Sequence, residues 1–398
     1  MSMVEWKKLG DLGKFENIGT DKKIVESEKL VTLLNYVDVY HNKYINASTP
    51  QMVVSASDKK IEDCTVEKGD IFVTPSSETV DDIGHSSVIT ETIPNAVYSY
   101  HIMRYRLFEK NMLLSYYINY AFDTDNVKKQ ILKKAQGLTR FGLSKDKFAS
   151  IQIPIPPLSD QEKIVEKLDA FTSSIDSLKE QLALRRKQYE YYRDQLLDLE
   201  GKEGVEMKTL EEVCDIKGRI GFRGYTREDQ VAKGEGALSL TATNIVNQHI
   251  DYHNNTYITW DKYFESPEIM VKEGDIIVCQ RGSIGKIAMV VDLKEKATIN
   301  PQLLLLKNIK CDNKYLIHYL LSRYFQEALN KIIGHGTVQM IAQKDLKELQ
   351  IPLMERNEQS RIVSILDTFE ASIRNLEEQL KKREKQYEYY RNKLLTFE

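Results

Sequence analysis

The sequence contains no apolar run near the roughly 18 residues that a membrane-spanning helix needs. Its first eight residues are polar and lack the apolar core of a signal peptide, so a cytoplasmic protein is expected. Cysteine is scarce: Cys64, Cys214, Cys279 and Cys311 are scattered, with no Cys-x-x-Cys pair. That argues against a disulfide framework or a zinc site and leaves buried, reduced thiols as the ordinary reading. The seven histidines lie apart, without metal spacing. A surplus of positive charge is missing too. The formal net charge is −3, whereas duplex binders are often basic because neutralised phosphates release counterions. A near-neutral chain can still grip DNA if its cations are gathered in a few loops. Catalytic signatures are only approached. Gly282-Ser-Ile-Gly285-Lys286 is too short for a phosphate loop and is followed by Ile287, not Ser or Thr. Asn300-Pro-Gln-Leu303 falls short of an adenine-methyltransferase motif because Gln302 stands where a second proline belongs, and no glycine-rich cofactor loop accompanies it.

What is present is a duplication. Residues 153–200 align without a gap onto residues 351–398 at a shift of 198, which carries Tyr189 onto Tyr387. About half the positions are identical, including Lys-Gln-Tyr-Glu-Tyr-Tyr-Arg at 187–193 and again at 385–391, too many for chance. Each copy carries apolar or aromatic residues at alternating spacings of four and three: Ile164, Leu168, Phe171, Ile175, Leu178 and Leu182, then Arg185, Tyr189, Tyr192, Leu196 and Leu199. This is a heptad seam, and the second copy keeps the register from Ile362 to Phe397. Each copy is therefore expected to be one helix of about 40 residues, roughly 60 Å long. Ser159 and Asn357 are the candidate N-caps, and the run Gly201-Lys-Glu-Gly204 breaks the first helix. Arg185 and Arg383 fall on the seam. Their stems can pack while the heads reach water. Alternatively, an antiparallel pairing of Ile164 with Phe397 would set Arg383 near residues 178–180 and Arg185 near residues 376–377.

The remaining regions, 1–152 and 205–350, are related far more loosely. Val66-Glu-Lys-Gly-Asp-Ile-Phe-Val73 matches Val271-Lys-Glu-Gly-Asp-Ile-Ile-Val278, and both regions close with a glycine-containing loop and Lys-Asp before Ile-Pro. β-Branched runs punctuated by Gly and Asn predict α+β domains with twisted, mostly antiparallel sheets. The predicted organisation is a domain over 1–152, a helix over 153–200, a linker over 201–204, a domain over 205–350 and a helix over 351–398. The helices stayed alike while the domains drifted, as expected if the helices meet identical partners and the domains read different things.

Several loops have the chemistry of a DNA surface, because arginine forks onto guanine or phosphate and glycine lets a backbone approach the duplex. In the second domain these are Arg219, Arg223, Tyr225 and Arg227 between glycines; Arg281, Ser283 and Lys286 directly after a strand; and His335, Thr337, Gln339 and Lys344. The first-domain counterparts are Ser76 and Ser77, then Lys133, Lys134, Thr139, Arg140 and Lys145. The ordinary alternative for any one of them is a solvated basic loop.

At this point the chain resembles the specificity subunits of type I restriction–modification systems over essentially its full length. The resemblance rests on Gln161, Ile164, Val165, Leu168 and Asp169 in one helix and Gln359, Ile362, Val363, Leu366 and Asp367 in the other. In the second domain it also rests on residues 274–278, 281–286 and 297–300. The first domain departs, with Pro75-Ser-Ser-Glu78 where the family usually has a Gly-x-x-Gly loop. The resemblance implies a non-catalytic, pseudo-twofold protein in which two target-recognition domains, held apart by two antiparallel coiled-coil helices, each read half of a split DNA site. It also implies two modification (methyltransferase) subunits that bind S-adenosylmethionine and methylate adenine N6, and restriction (motor–nuclease) subunits that use ATP and Mg. No cofactor is expected in this chain. Half-sites would lie at least about one duplex turn apart, roughly 34–36 Å. Tyr191 and Tyr389, off the seam, together with Arg193 and Arg391, are the expected partner surface. Two rivals remain: a complete single-chain enzyme, which needs more than near-miss motifs, and a DNA-free coiled-coil adaptor, which leaves the Gly–Arg loops unexplained.

Overall fold

The computed structural model describes residues 4–221, 224–334 and 339–397. The chain forms two compact units, Met1–Lys179 with Glu378–Glu398, and Glu180–Glu377. Each unit is an α+β domain joined to part of both long helices, which run as Leu158–Leu196 and Arg356–Thr396. Among the described residues, no helix is long and apolar enough to cross a membrane.

In unit 1, a five-stranded sheet orders Gly13–Glu16, Met103–Leu107, Ile71–Val73, Ser86–Ile89 and Tyr44–Ile45. A three-stranded sheet sets Lys29–Leu34 between Met52–Ala56 and Ala96–Tyr98. Two hydrophobic cores result. One lies around Ile71, Tyr105, Tyr117 and Phe148 and takes in Ile164, Leu168 and Leu395 of the long helices. The other is built from Leu33, Phe72, Val97 and Tyr98. In unit 2, Asp215–Gly218, Leu303–Lys307, Ile276–Cys279 and Ile287–Met289 form one sheet, and a five-stranded sheet centres on Gly236–Leu240. Among the described residues, parallel pairing is confined to three strand pairs and one isolated bridge, between Thr20 and Ser99; the rest is antiparallel.

Proline-bearing strands join domain to helix in the same way in both units. Gln152–Ile155 pairs with Glu5–Lys8, and Gln350–Leu353 with Glu206–Thr209. A buried tyrosine hydroxyl caps each strand, Tyr117 donating to the Pro154 carbonyl at 2.8 Å and Tyr315 to that of Pro352 at 2.6 Å. The expected N-caps Ser159 and Asn357 are corrected: the helices open at Leu158 and Arg356, two residues before the starts those caps imply, so both residues lie inside the first turn. The Pro157 carbonyl already accepts the amides of Asp160 and Gln161, and the Glu355 carbonyl that of Gln359. Gln161 and Gln359 fold back onto the entering chain, donating to Pro156 O at 2.9 Å and Met354 O at 2.7 Å.

The seam follows the expected register inside each unit. Phe171 stacks on Tyr390 at 5.4 Å, and Tyr192 on Phe369 at 5.3 Å. The seam arginines take a third course, lying over aromatic faces: Arg383 sits 5.7 Å from the Phe171 ring and Arg185 6.0 Å from that of Phe369. Glu377, expected beside Arg185, is held at 2.6 Å by Arg186.

The repeated aspartate fastens helix to domain. Asp169 accepts the hydroxyls of Tyr44 and Tyr120; Asp367 is bound by Lys314 and faces the buried His318, which also meets Tyr189 at 3.0 Å and Glu370 at 3.7 Å. His318, facing it at 3.6 Å, and then Lys314 hold Asp367 down at about 2. A carboxylate depressed in the folded state stabilises fully above its unfolded value near 3.8, and that contribution disappears as pH falls through about 2. Urea midpoints of unit 2 are therefore expected to fall between about pH 4 and pH 2. Asp367→Asn should flatten that slope, and an unchanged slope would contradict this role.

Candidate nucleic-acid interface

In unit 1, the loop after Ile71–Val73 meets the loop after the helix Asp125–Lys134. Ser76 and Ser77 pair with Gly142 and Phe141 as a short antiparallel ladder, and Arg140 donates to Ser76 Oγ at 3.3 Å. In unit 2, the loop after Ile276–Cys279 meets the loop after Arg323–Lys331 through a bridge between Arg281 and Met340. The Gln280 carbonyl accepts the Ile341 amide at 3.0 Å. The two bridges are equivalent. Matching the strand signatures places Ser76 onto Arg281, and the 198-residue shift places Gly142 onto Met340. One scaffold therefore presents unlike side chains.

The strand-following loop of unit 2 turns at Gly282 (φ 79°) and Gly285 (φ 87°), conformations that favour glycine. Arg281 and Lys286 are exposed and Ser283 half-buried; Lys286 Nζ reaches Ile245 O at 3.2 Å. Gln339 and Lys344 are exposed nearby in sequence on the second loop and the helix after it. Arg227 is exposed, and half-buried Tyr225 is hydrogen-bonded to Ser239 at 2.7 Å.

Arg219 corrects the sequence reading. It is 8% exposed, with its guanidinium over the Tyr225 ring at 5.2 Å and donating to Thr298 Oγ1 and the Ile299 carbonyl. Burial pushes its pKa down, against the pull of Tyr225, Glu265 and Glu268. Its guanidinium is engaged inside the unit, where it packs on Tyr225 and donates to Ser266, Thr298 and Ile299. Arg223, His335 and Thr337 lie outside the described residues.

In unit 1, Lys133, Thr139, Arg140 and Lys145 are exposed. Lys134 is half-buried and spends its ammonium on Ser150. Side chains missed in the sequence gather here. Burial raises the Tyr36 hydroxyl, opposed by hydrogen bonding to Ser77 and by the Arg140 charge. Tyr36 stacks on Tyr40 at 5.8 Å, and Tyr40 packs on His85 at 4.4 Å. Burial, then the positive charges of Lys22 and Arg140, lower His101. The signal for the first two was the i, i+4 pair Tyr36 and Tyr40 in the helix Tyr36–His41. In unit 2 the Gln280 amide donates to Pro301 O at 3.0 Å, and Asn300 and Gln302 bond each other. The segment set aside as a failed catalytic motif thus lies beside the Arg281 loop.

On the helices, Tyr191 and Tyr389 are 60% and 58% exposed. Arg193 is buried, paired with Asp194 and lying over Tyr189 at 5.5 Å, which removes it from an exposed face. Arg391 turns inward similarly, over Tyr387 at 5.3 Å.

Comparison with known proteins agrees with this architecture. The chain is 32% identical over 277 residues to a putative type I restriction enzyme specificity subunit of Haemophilus influenzae, covering 66% of this chain and 68% of that one. It is 33% identical over 267 residues to the specificity subunit of the type I restriction enzyme EcoR124I/EcoR124II of Escherichia coli, covering 63% of this chain and 64% of that relative's length. The crystal structure of a type I restriction–modification S subunit from M. genitalium shares the fold, with a TM-score of 0.56 at 14% identity over 100% of this chain and 98% of that one. A family model described as the type I restriction modification DNA specificity domain matches twice, at residues 1–184 and 202–384. On that double match, the chain belongs to the family of type I restriction–modification specificity subunits.

Proposed function

We propose that each unit reads one half of a bipartite, asymmetric DNA site through its bridged loop pair, and that the helices set the spacing between the halves. Unit 2 presents Arg281, Ser283, Lys286, Gln339, Lys344 and Arg227. Unit 1 presents Ser76, Ser77, Lys133, Thr139, Arg140 and Lys145. The observation that carries this reading is the equivalent loop bridge in both units, alike in backbone and unlike in side chains, which is what two readers of different bases require. The protein itself does no chemistry. Its partners are duplex DNA, two modification subunits docking on helix faces that include Tyr191 and Tyr389, and restriction subunits. Adenine N6-methylation with S-adenosylmethionine belongs to the modification subunits, ATP- and Mg-dependent cleavage to the restriction subunits, and the assembly works in the cytoplasm.

The test is to coexpress the chain with its modification subunit and map N6-methyladenine across the host genome. A split motif with one methylated adenine per half is expected. Exchanging residues 205–350 for those of a relative should change one half only. A motif that changes in both halves, or no complex at all, would overturn the reading.

A further inference from the structure

Among the described large apolar side chains, Leu138 is the most exposed, at 95%, against 68% for the next, Ile24. It stands at a loop tip that is tightly closed. Gln136 and Gly142 exchange two backbone hydrogen bonds, at 3.0 and 2.8 Å, and the Leu143 amide bonds Pro75 O at 2.9 Å. Gly137 has φ +141°, and a Cβ there would stand 1.9 Å from Arg140 O, so the turn admits only glycine. The loop therefore holds Leu138 out in water, where its apolar area is available to be buried against a partner. Arg140, two residues on, and Lys133, five residues before it, are exposed in the same segment. An exposed apolar tip on a loop that also carries exposed cations matches a polyanion with an apolar interior, which describes a stacked duplex. Leucine is among the side chains that proteins insert between base steps.

We propose that Leu138 is a wedge that enters the duplex at the half-site read by unit 1 and partly unstacks one base step, bending the DNA there. This rests on the reading of unit 1 as a DNA-binding unit. Bases flanking the step are then selected by how readily they unstack, in addition to those contacted through hydrogen bonds.

The experiment uses the complex with its modification subunits and a duplex carrying the mapped site. Dyes at the ends report bending, and 2-aminopurine is placed in turn at each position of the unit-1 half. Wild type should bend the duplex and brighten 2-aminopurine at one step. Leu138→Ser should abolish both and weaken binding about tenfold, with assembly and thermal midpoint unchanged; Leu138→Met should keep both. Wild-type binding without bending or brightening overturns the wedge, as does a Leu138→Ser complex that bends DNA like wild type. Loss of the modification subunit with unaltered bending would make Leu138 a protein contact and also overturn it. Failure of wild type to bind any duplex would instead defeat the DNA-reading proposal itself.

Discussion

Leu366→Ala is expected to lower the stability of unit 2 by about 2–5 kcal/mol, which for a unit of this size moves its melting midpoint by roughly 5–15 °C. Leu366 is 0% exposed, and Ile362 and Val363 beside it are 2% and 8% exposed, all within the core that contains Tyr315, Leu316 and Ile351. Removing three carbons there leaves a cavity that a helix anchored on both sides by strand and helix packing cannot close. Farther along the same seam, Ile373, Leu376 and Leu380 are only half-buried, so alanine at Leu380 should cost much less. The Leu168→Ala counterpart should act in the same way on unit 1, where Leu168 is also 0% exposed. Differential scanning calorimetry, with hydrogen exchange to assign the transition, measures both. Equal effects at Leu366 and Leu380 would mean that the seam is stabilised uniformly and that the domain core is not its anchor.

Two arginines that look alike in sequence should separate by opposite readouts. Arg219→Ala is expected to destabilise unit 2 by about 2–3 kcal/mol, because it strips buried hydroxyls of their donor and opens space beneath Tyr225. Its loss of DNA affinity should recover at lower temperature as the fold recovers. Arg281→Ala removes an exposed side chain and should leave the stability within about 0.5 kcal/mol of wild type. It should instead weaken cognate binding by about 1–3 kcal/mol and relax one base of the unit-2 half-site. If Arg281 contacts only phosphate, all sequences would weaken alike and the salt slope would fall by about one ion. Thermal melts and titrations on cognate and single-mismatch duplexes at fixed salt distinguish these outcomes. A stable Arg219→Ala protein that still fails to bind DNA would show that its guanidinium reaches the duplex after all.

The sequence by itself determined the duplication, the two long helices and their register. It also determined the α+β class of the domains and the family. Each of these is a periodic or repeated signal: the alternation of four and three puts Phe171 opposite Tyr390, and the Gly-Asp-Ile signature marks the same strand twice. Local chemistry also placed the candidate loops. Which side chains in those loops face out was decided only by the tertiary structure. Arg219 and Arg193 are written like surface residues, but sheet and helix packing close over them; the groups that accept from Arg219 come from the distant Thr298 and Ile299, while Arg193 turns in onto its neighbours Tyr189 and Asp194. The Tyr36–Tyr40–His85 stack and the bridge from Arg281 to Met340 unite segments tens of residues apart. Such contacts depend on long-range strand order, for which a single sequence carries no periodic mark.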